Sequence, residues 1–235
     1  QAMLHAGEFT CLLGPNGVGK STLLRTLSGF IPPLKGCVEL NGKDISQLKP
    51  YECAQQIGVV LTTKLDTANI TVAELVGMGR YPYTGFFGRL KANDQQIVDE
   101  AMAMTGVKSL QSRLIHTLSD GERQKTMIAK ALAQQTPVIF LDEPTAFLDY
   151  PSKVATMQLL HQLAHILNKT ILLSTHDIEQ ALQVADRLWL LDDGKLHVGT
   201  PRDLADNGSL GNFIEQGNIT FDAAHLRINI GESKA

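Results

Sequence analysis

The sequence predicts an α/β fold in which helices flank a mostly parallel sheet. Short apolar runs, each bounded by turn residues, alternate with helical patterns along the chain. Continuous apolar runs of this length are typical of strands buried on both faces, and their alternation with helices is typical of parallel sheets. The strand runs lie at 9–13, 57–61, 138–142 and 170–174, and the helical patterns at 20–28, 94–105, 120–134, 151–167 and 177–185.

Two turn signals and one helical stretch complete the expected architecture. The Asn-Gly pair within 39–43 and the Asp-Gly pair within 190–196 each predict a hairpin. Residues 62–136 carry helical patterns without a clear buried strand, so we expect an inserted helical subdomain. The expected single domain, 1–235, therefore has a core over 1–61 and 137–200, the helical subdomain over 62–136 and a C-terminal extension over 201–235.

Composition and charge argue against several classes of protein. The 235 residues are 43% hydrophobic, which suits one globular domain, and the net charge of −3 gives no reason to expect a nucleic-acid partner. The longest apolar runs fall far short of the ~20 residues of a membrane helix, and the N-terminal residues show no signal-peptide pattern. Cys11, Cys37 and Cys53 lie far apart, which argues against a disulfide framework and favours a reducing compartment.

The stretch GPNGVGKST, residues 14–22, follows an expected strand and opens an expected helix. In this context the pattern is typical of a phosphate-binding loop, because glycines let backbone N–H groups approach a polyphosphate at a helix N-terminus. We expect Lys20 to reach the β- and γ-phosphates and Ser21 to ligate Mg²⁺. An ordinary glycine-rich turn is the alternative. The expected nucleotide contacts in this loop are Asn16, Gly17, Gly19, Lys20, Ser21 and Thr22.

The run VIFLDEP ends an expected strand with two carboxylates, Asp142 and Glu143. Ligands of parallel sheets bind where strands end at their carboxyl side, so both side chains are placed for a site. Asp142 suits the Mg²⁺ shell, and Glu143 suits a general base for water that attacks the γ-phosphate. The alternative is a solvated strand end, where acidic residues are common.

The stretch LSDGERQ, residues 118–124, opens another expected helix. Ser119 is a plausible N-cap, and Glu122 follows at the spacing of a capping box. A serine and a glycine at a helix start also form an anion-binding terminus. Two anion sites for one nucleotide suggest that two chains share it.

Together these motifs resemble those of the nucleotide-binding subunits of ABC transporters. Residues 14–21 are similar to the Walker A motif, 118–122 to the signature motif and 138–143 to the Walker B motif. Residues 147–149 are similar to the D-loop, and His176 falls at the position of the switch histidine. The match implies a P-loop NTPase-type fold with a RecA-like core and, in this chain, a truncated antiparallel β part.

The resemblance implies a head-to-tail homodimer that holds two ATP molecules, with Mg²⁺, at the seam between its chains. Each nucleotide would contact the Walker A motif of one chain and the signature motif of the other. The residues with implied roles are Ser119, Gly121 and Glu122 as contacts from the second chain, Lys20, Glu143 and His176 as catalytic groups, and Asp149 as the link across the seam.

Residues 74–90 are similar to a segment of the subunits that energise uptake of iron-siderophore complexes, haem or cobalamin. The resemblance implies an ATPase that docks on a polytopic membrane permease, peripheral to the cytoplasmic face of the inner (plasma) membrane. Tyr81, Tyr83, Phe86 and Phe87 would supply amphipathic contact area for docking. The alternative is that these aromatic residues pack the helical subdomain.

Three features depart from the family's pattern. Thr62 stands where the family has a glutamine that reaches Mg²⁺, so we expect its hydroxyl to contact the metal shell through a bridging water. Phe9 is the one aromatic residue before Gly14 and lies in the strand, so the platform for adenine is missing and we expect weak nucleotide affinity. Asp120 and Glu122 stand where Gly and Gln are common, although a helix dipole favours acids in its first turn.

Two other functions stay open at this point. One is a soluble ABC ATPase acting on nucleic acid or ribosomes, but such proteins commonly carry two cassettes or a long coiled-coil insert that this length does not accommodate. The other is a nucleotide-gated regulatory module, which Thr62 favours and an intact set of catalytic residues disfavours.

His161 and His165 could share a helix face and hold a metal, but the sequence shows no third ligand, so a polar helix face is the favoured interpretation.

Overall fold

The computed structural model describes residues 1–61, 69–85 and 88–231. Its strands are β1 (Phe9–Leu13), β2 (Glu39–Leu40), β3 (Lys43–Asp44), β4 (Ile57–Val60), β5 (Val138–Asp142), β6 (Thr170–Thr175), β7 (Arg187–Asp192), β8 (Lys195–Gly199), β9 (Ile219–Asp222) and β10 (Arg227–Ile230). Its α-helices are α1 (Lys20–Leu27), α2 (Pro50–Ala54), α3 (Val72–Gly77), α4 (Ala92–Met104), α5 (Asp120–Ala133), α6 (Tyr150–Ile166), α7 (Ile178–Val184), α8 (Pro201–Asp206) and α9 (Ser209–Ile214).

Within the described residues, the main sheet has six strands in the order β4-β5-β6-β1-β7-β8. Its strands pair in parallel except at the edge, where β8 runs antiparallel to β7. Every residue of β1, β5 and β6 is buried. The continuous apolar runs therefore form strands covered on both faces, and the predicted α/β architecture is confirmed.

Two edges of the sheet matter for the site. At the carboxyl edge, Leu13 pairs with Thr175 and Asp142 pairs with Ser174, so the strands β1, β5 and β6 end side by side. At the amino edge, Phe9 begins β1 beside the start of β7. The segments that follow β1, β5 and β6 are consequently brought together at the carboxyl edge.

Both predicted hairpins are confirmed. Strands β2 and β3 pair around Asn41 and Gly42, whose φ angles are 51° and 76°. Strands β7 and β8 pair around Asp193 and Gly194, whose φ angles are 43° and 70°. Positive φ at both central residues is the conformation that two-residue hairpins require, which explains the Asn-Gly and Asp-Gly pairs.

Helices dominate the described residues between β4 and β5, where α3 and α4 both pack on α5. A buried ion pair joins this packing: Arg80 Nε lies 3.0 Å from Asp94 Oδ1, and Arg80 Nη1 donates to the carbonyl of Ala133 over 2.8 Å. A hydrogen bond from the Lys91 backbone N–H, followed by that from Arg80, holds the pKa of Asp94 below its ordinary value. That this region is a separate subdomain stays a prediction.

The segment similar to the importer subunits ends partly outside the described residues. Tyr81 is 56% exposed and Tyr83 is 38% exposed, whereas Phe86 and Phe87 lie outside the described residues. The Arg80 guanidinium lies 4.2 Å from the centre of the Tyr83 ring, which holds that ring against the helices. Tyr81 therefore offers the larger accessible aromatic surface of the two.

After β8 the chain forms α8 and α9, which periodicity alone did not predict. A local signal for α8 was present: Thr200 accepts from the Asp203 backbone N–H, Asp203 reaches back to Thr200, and Pro201 occupies the first turn. Strands β9 and β10 pair as an antiparallel hairpin. None of the helices in the part of the chain that the structure describes has the length and apolar character needed to cross a bilayer.

Candidate functional site

The phosphate loop, residues 14–22, connects β1 to α1 at the carboxyl edge of the sheet. Gly17 and Gly19 have φ angles of 81° and 108°, which side chains other than glycine rarely adopt. Gly14 is needed for another reason, because a Cβ there would lie 2.7 Å from the carbonyl oxygen of Leu191 on the neighbouring strand. Gly17 and Gly19 are therefore needed for the backbone conformation of the loop, and Gly14 is needed for close packing against the next strand.

The Lys20 ammonium lies inside the phosphate loop. Its side chain is 5% exposed, and Nζ donates to the carbonyls of Gly14 over 2.8 Å and of Pro15 over 3.2 Å. Nζ also lies 3.7 Å from Glu143 Oε1. Because an ammonium has three donors and no acceptor, phosphate oxygens can replace these carbonyl contacts without loss of hydrogen bonds.

Asn16, Gly17, Ser21 and Thr22 are exposed at this loop, so their polar groups are accessible to a ligand. Ser21 also contacts the neighbouring strand end, where its Oγ donates to Asp142 Oδ1 over 2.9 Å.

Asp142 and Ser21 fit the oxygen-ligand preference of Mg²⁺. Asp142 is 6% exposed, and its Oδ1 accepts hydrogen bonds from the hydroxyls of Ser21 and Ser174 over 2.9 and 2.8 Å. A buried carboxylate beside a hydroxyl is the kind of oxygen set that binds this hard cation together with phosphate and water. Thr62, the other residue expected at the metal, lies outside the described residues.

Glu143 has an unusual backbone conformation. Its φ angle is 44°, and its N–H donates to Ser174 Oγ over 2.9 Å. Left-handed backbone at a residue other than glycine costs about 1–3 kcal/mol and persists only where the surroundings enforce it. The turn after β5 therefore aims this carboxylate at a fixed place beside Lys20.

His176 completes this cluster from the end of β6. Its Nδ1 lies 3.8 Å from Glu143 Oε2, while Lys20 lies on the other side of the same carboxylate. The His176 side chain is 53% exposed, so its ring is reachable from solvent. The three residues predicted to be catalytic thus converge at the carboxyl edge, although they come from three distant parts of the chain.

A cleft of about 310 Å³ borders this cluster. It lies between the start of the phosphate loop, at Gly14 and Asn16, and the end of α9, at Asn212 and Phe213, and His176 also lines it. A volume of this size is at the lower end for small-molecule sites. Helix α9 therefore contributes to the surroundings of the phosphate loop, which the sequence did not indicate.

The turn at Ser119 forms the capping box that the sequence predicts. Ser119 Oγ accepts from the Glu122 backbone N–H, and Glu122 Oε2 accepts from the Ser119 backbone N–H over 2.9 Å. This hydrogen bond is the main reason that the pKa of Glu122 lies below its ordinary value. Glu122 also lies 3.4 Å from the Arg113 guanidinium. Among the described residues, none of the hydrogen bonds or ion pairs of Ser119 and Glu122 reaches the phosphate loop of the same chain.

Asp149 caps α6, where its carboxylate accepts from the Ser152 backbone N–H over 3.2 Å. The same Ser152 lies close to the signature motif, because a Cβ added at Gly121 would lie only 3.2 Å from Ser152 Oγ. The residues predicted to meet a second chain are therefore neighbours at the N-termini of α5 and α6. Among the described residues, the hydrogen bonds of Ser119, Glu122 and Asp149 do not connect them to the cluster around Glu143.

Comparison with known proteins assigns the family. The sequence profile described as ABC transporter matches residues 1–146, more than half of the chain. The chain belongs to the ABC transporter family. Within that family it is an ATP-binding cassette, and the recognition made from the motifs is confirmed.

Curated relatives of this cassette are similar over most of its length. An uncharacterised ABC transporter ATP-binding protein of Methanocaldococcus jannaschii is 45% identical over 82% of this chain and 67% of the relative. The petrobactin import ATP-binding protein FpuC of Bacillus anthracis is 41% identical over 86% of this chain and 74% of the relative. The ferric enterobactin transport ATP-binding protein FepC of Escherichia coli is 40% identical, over 84% and 73%.

Solved structures of ABC cassettes share the fold. An inward-facing metal-chelate type ABC transporter has a chain 32% identical to the cassette, with a TM-score of 0.76 over 85% of this chain and 74% of that one. A dimeric cassette bound to ADP and Pi in a post-hydrolysis state is 28% identical, with a TM-score of 0.73 over 85% and 88%. The cassette is therefore an ATPase by family, with the fold of proteins that hydrolyse ATP.

Proposed function

We propose that this cassette hydrolyses ATP to drive an importer of iron-siderophore complexes, haem or cobalamin. The chemistry rests on one observation above all: Lys20, Asp142 and Glu143 meet at the carboxyl edge of the sheet. The cargo class is supported by the petrobactin import and ferric enterobactin transport relatives, whose named substrates belong to it. The soluble nucleic-acid ATPases have no such support here, and the chain is not basic overall.

Phosphate binding is assigned to the phosphate loop. Lys20 exchanges its contacts with the carbonyls of Gly14 and Pro15 for oxygens of the β- and γ-phosphates. The ammonium then faces an anionic acceptor in place of a neutral carbonyl, so Coulomb attraction favours the exchange. The backbone N–H groups at the start of α1 add donors that face the same anion.

Ser21 and Asp142 are the residues that would hold Mg²⁺. When bound, Mg²⁺ neutralises charge on the β- and γ-phosphates and helps to orient them. The protein's own contribution is to hold the oxygen ligands in place, which Ser174 does by donating to Asp142 Oδ1. Thr62, which is not among the described residues, is the third residue proposed to contact the metal shell.

Glu143 is proposed as the general base for the attacking water. Its carboxylate lies between the Lys20 ammonium at 3.7 Å and His176 Nδ1 at 3.8 Å, which restrains both oxygens. A positioned base of this kind contributes typically 10²–10⁴-fold to a rate. His176, which is open to solvent, is proposed to contact the γ-phosphate.

A second copy of the chain is proposed to complete the site. Ser119, Gly121 and Glu122 form a helix N-terminus suited to an anion, and their hydrogen bonds leave the phosphate loop of their own chain uncontacted among the described residues. Asp149 lies beside that turn and would carry contacts across the seam. The dimeric state of the similar post-hydrolysis cassette supports this arrangement.

A polytopic permease is the proposed partner, at the cytoplasmic face of the inner membrane. The exposed ring of Tyr81 offers aromatic contact area of the kind enriched at interfaces. The buried Arg80–Asp94 pair fixes the backbone that carries this ring, so the docking surface is held on a rigid support. Docking through this segment distinguishes an importer subunit from a regulatory module.

The test combines Glu143→Gln with reconstitution of the cassette on its permease. We expect hydrolysis to fall at least about 100-fold and ATP-bound dimers to accumulate, because the base is lost while the phosphate contacts stay. Glu100→Gln, a surface change on α4, is the matched control and keeps the parent rate. Full hydrolysis by Glu143→Gln would contradict the catalytic assignment. Activity without any permease-dependent transport of a metal chelate would contradict the importer assignment.

A further inference from the structure

Three potential metal ligands meet at the amino edge of the sheet, on the side opposite the phosphate loop. His161 and His165 lie one turn apart on α6, and Asp186 directly precedes β7. One ligand atom of each residue lies within 4.8 Å of the other two. The sequence offered the two histidines without a third ligand, and the fold supplies Asp186 from a distant part of the chain.

The hydrogen bond of His165 determines which ring nitrogen faces the carboxylate. Nδ1 lies 2.8 Å from the carbonyl oxygen of His161, and a carbonyl can only accept, so Nδ1 carries a proton. Nε2 therefore faces Asp186 Oδ2, over 3.3 Å. A ligating histidine characteristically donates its other N–H to a carbonyl or carboxylate, which is the arrangement here.

The distance between these two atoms also suits a metal. Ligand bonds of about 2.0–2.1 Å at a tetrahedral centre place neighbouring ligand atoms roughly 3.4 Å apart. The Nε2 to Oδ2 distance of 3.3 Å agrees with that separation. Two lone pairs would face each other across this gap in a neutral ring, and either a metal ion or a proton on Nε2 removes that repulsion, which the experiment below distinguishes.

The Asp186 carboxylate is anchored by the backbone, and the neighbouring arginine pairs with a different carboxylate. Its Oδ2 accepts from the Phe9 backbone N–H over 2.8 Å, which fixes the carboxylate against β1. The adjacent cation, Arg187, pairs with Glu8 over 3.2 Å. A ligating carboxylate supported by a backbone hydrogen bond matches the outer contacts that orient metal ligands.

His161 supplies the third position. Its ring packs against that of His165 with centroids 4.2 Å apart and against the Phe9 ring in an edge-on contact. Within the described part of the chain, neither ring nitrogen of His161 has a hydrogen-bond partner in the structure. The side chain is partly exposed, so a nitrogen is free to ligate and water can reach the same place.

We propose that His161, His165 and Asp186 bind a divalent transition-metal ion, with Zn²⁺ the best fit to this nitrogen and oxygen set. Water completes four-coordination, because the His165 side chain is 43% exposed. The ion would tie α6 to the starts of β1 and β7 and so stabilise the amino edge of the sheet. It acts separately from the nucleotide chemistry at the carboxyl edge.

The experiment measures Zn²⁺ binding and thermal stability of the full chain without an affinity tag. All variants carry Cys37→Ser, which removes an exposed thiol that could bind Zn²⁺. We expect one bound ion by titration calorimetry and a melting temperature raised by roughly 5–10 °C at a hundredfold excess over the dissociation constant. His165→Gln and Asp186→Asn are expected to abolish both effects.

The matched control is His225→Gln. His225 also pairs with a carboxylate, since its Nδ1 lies 2.7 Å from Asp222 Oδ2, but it belongs to no three-ligand cluster among the described residues. This variant is expected to retain the full Zn²⁺ effect. Co²⁺ gives a second readout, since tetrahedral coordination by the three residues produces a visible absorption that His161→Gln removes.

Two results would overturn the proposal. The first is a melting temperature that Zn²⁺ does not raise in the parent protein. The second is a rise of equal size in His165→Gln and Asp186→Asn, which would place the ion elsewhere. A loss of stability in these variants that is the same with Zn²⁺ and with a chelator would show an ion pair alone, and it would also overturn the metal site.

Discussion

The hydroxyl of Ser174 donates a 2.8 Å hydrogen bond to Asp142 Oδ1. The Ser174 hydroxyl oxygen in turn accepts a 2.9 Å hydrogen bond from the backbone N–H of Glu143. Ser174 is completely buried in β6, and the sequence predicted no role for it. One side chain therefore fixes both the carboxylate assigned to the metal and the backbone of the proposed base.

Ser174→Ala is expected to lower kcat roughly tenfold and to change the nucleotide affinity much less. The physical reason is that losing hydrogen bonds worth about 1–1.5 kcal/mol leaves Glu143 in a strained turn without its anchor. Steady-state hydrolysis and equilibrium binding of a non-hydrolysable nucleotide measure the two quantities.

The matched control for that change is Ser28→Ala. Ser28 is also buried, and its hydroxyl donates to the Leu24 carbonyl over 2.6 Å, away from the catalytic carboxylates. Both variants should lose about 1 kcal/mol of unfolding free energy, but only Ser174→Ala should lose turnover. Equal effects on kcat would show that Ser174 acts through stability alone.

Gly79→Ala is expected to destabilise the protein by about 2 kcal/mol. A Cβ at this position would lie 2.3 Å from the carbonyl oxygen of Lys130 and 3.2 Å from Ala133 Cβ, so the packing against α5 must open. For a chain of this size such a loss lowers the melting temperature by roughly 4–8 °C. Differential scanning calorimetry measures it.

Gly211→Ala provides the contrast for this prediction. Gly211 lies within α9, and a Cβ there would meet nothing within 4 Å. Alanine is favoured over glycine in a helix, so this variant should be neutral or slightly more stable. A melting temperature lowered as much by Gly211→Ala as by Gly79→Ala would show that helix packing is not the cause.

The capping box at Ser119 predicts a pH-dependent contribution to stability. The folded pKa of Glu122 lies below its ordinary value of 4.5, chiefly because its carboxylate accepts from the Ser119 backbone N–H. A lowered folded pKa means that the carboxylate stabilises the fold above the unfolded pKa and that this is lost as pH falls through the folded pKa. The stability difference between the parent and Glu122→Gln should therefore shrink as pH falls below 4.5.

Urea unfolding at a series of pH values measures this difference, without nucleotide. Arg113→Gln tests the cause, because the charge of Arg113 is a lesser contribution than the hydrogen bond from Ser119. That variant should keep most of the pH dependence. A difference between parent and Glu122→Gln that stays constant across the acid range would contradict the assignment.

The sequence predicted the strands and the phosphate loop well because their signals are local. Residues 9–22 contain an apolar strand, a glycine turn and a helix start in direct succession, and each is readable from its neighbours. It predicted α8 and α9 poorly, since both are short and bury only a few side chains such as Leu204 and Leu210. Short helices give too few turns for a periodic pattern to stand out.

The sequence by itself determined the kind of chemistry: a lysine and a serine in a glycine loop, two carboxylates after a buried strand, and the family to which these belong. Only the tertiary structure decided that Ser174 holds Asp142 and Glu143 and that Asp186 joins His161 and His165. The physical reason is that hydrogen bonds and metal sites depend on distances of about 3 Å between atoms. Such distances exist only after strand pairing has brought remote parts of the chain to the same edge of the sheet.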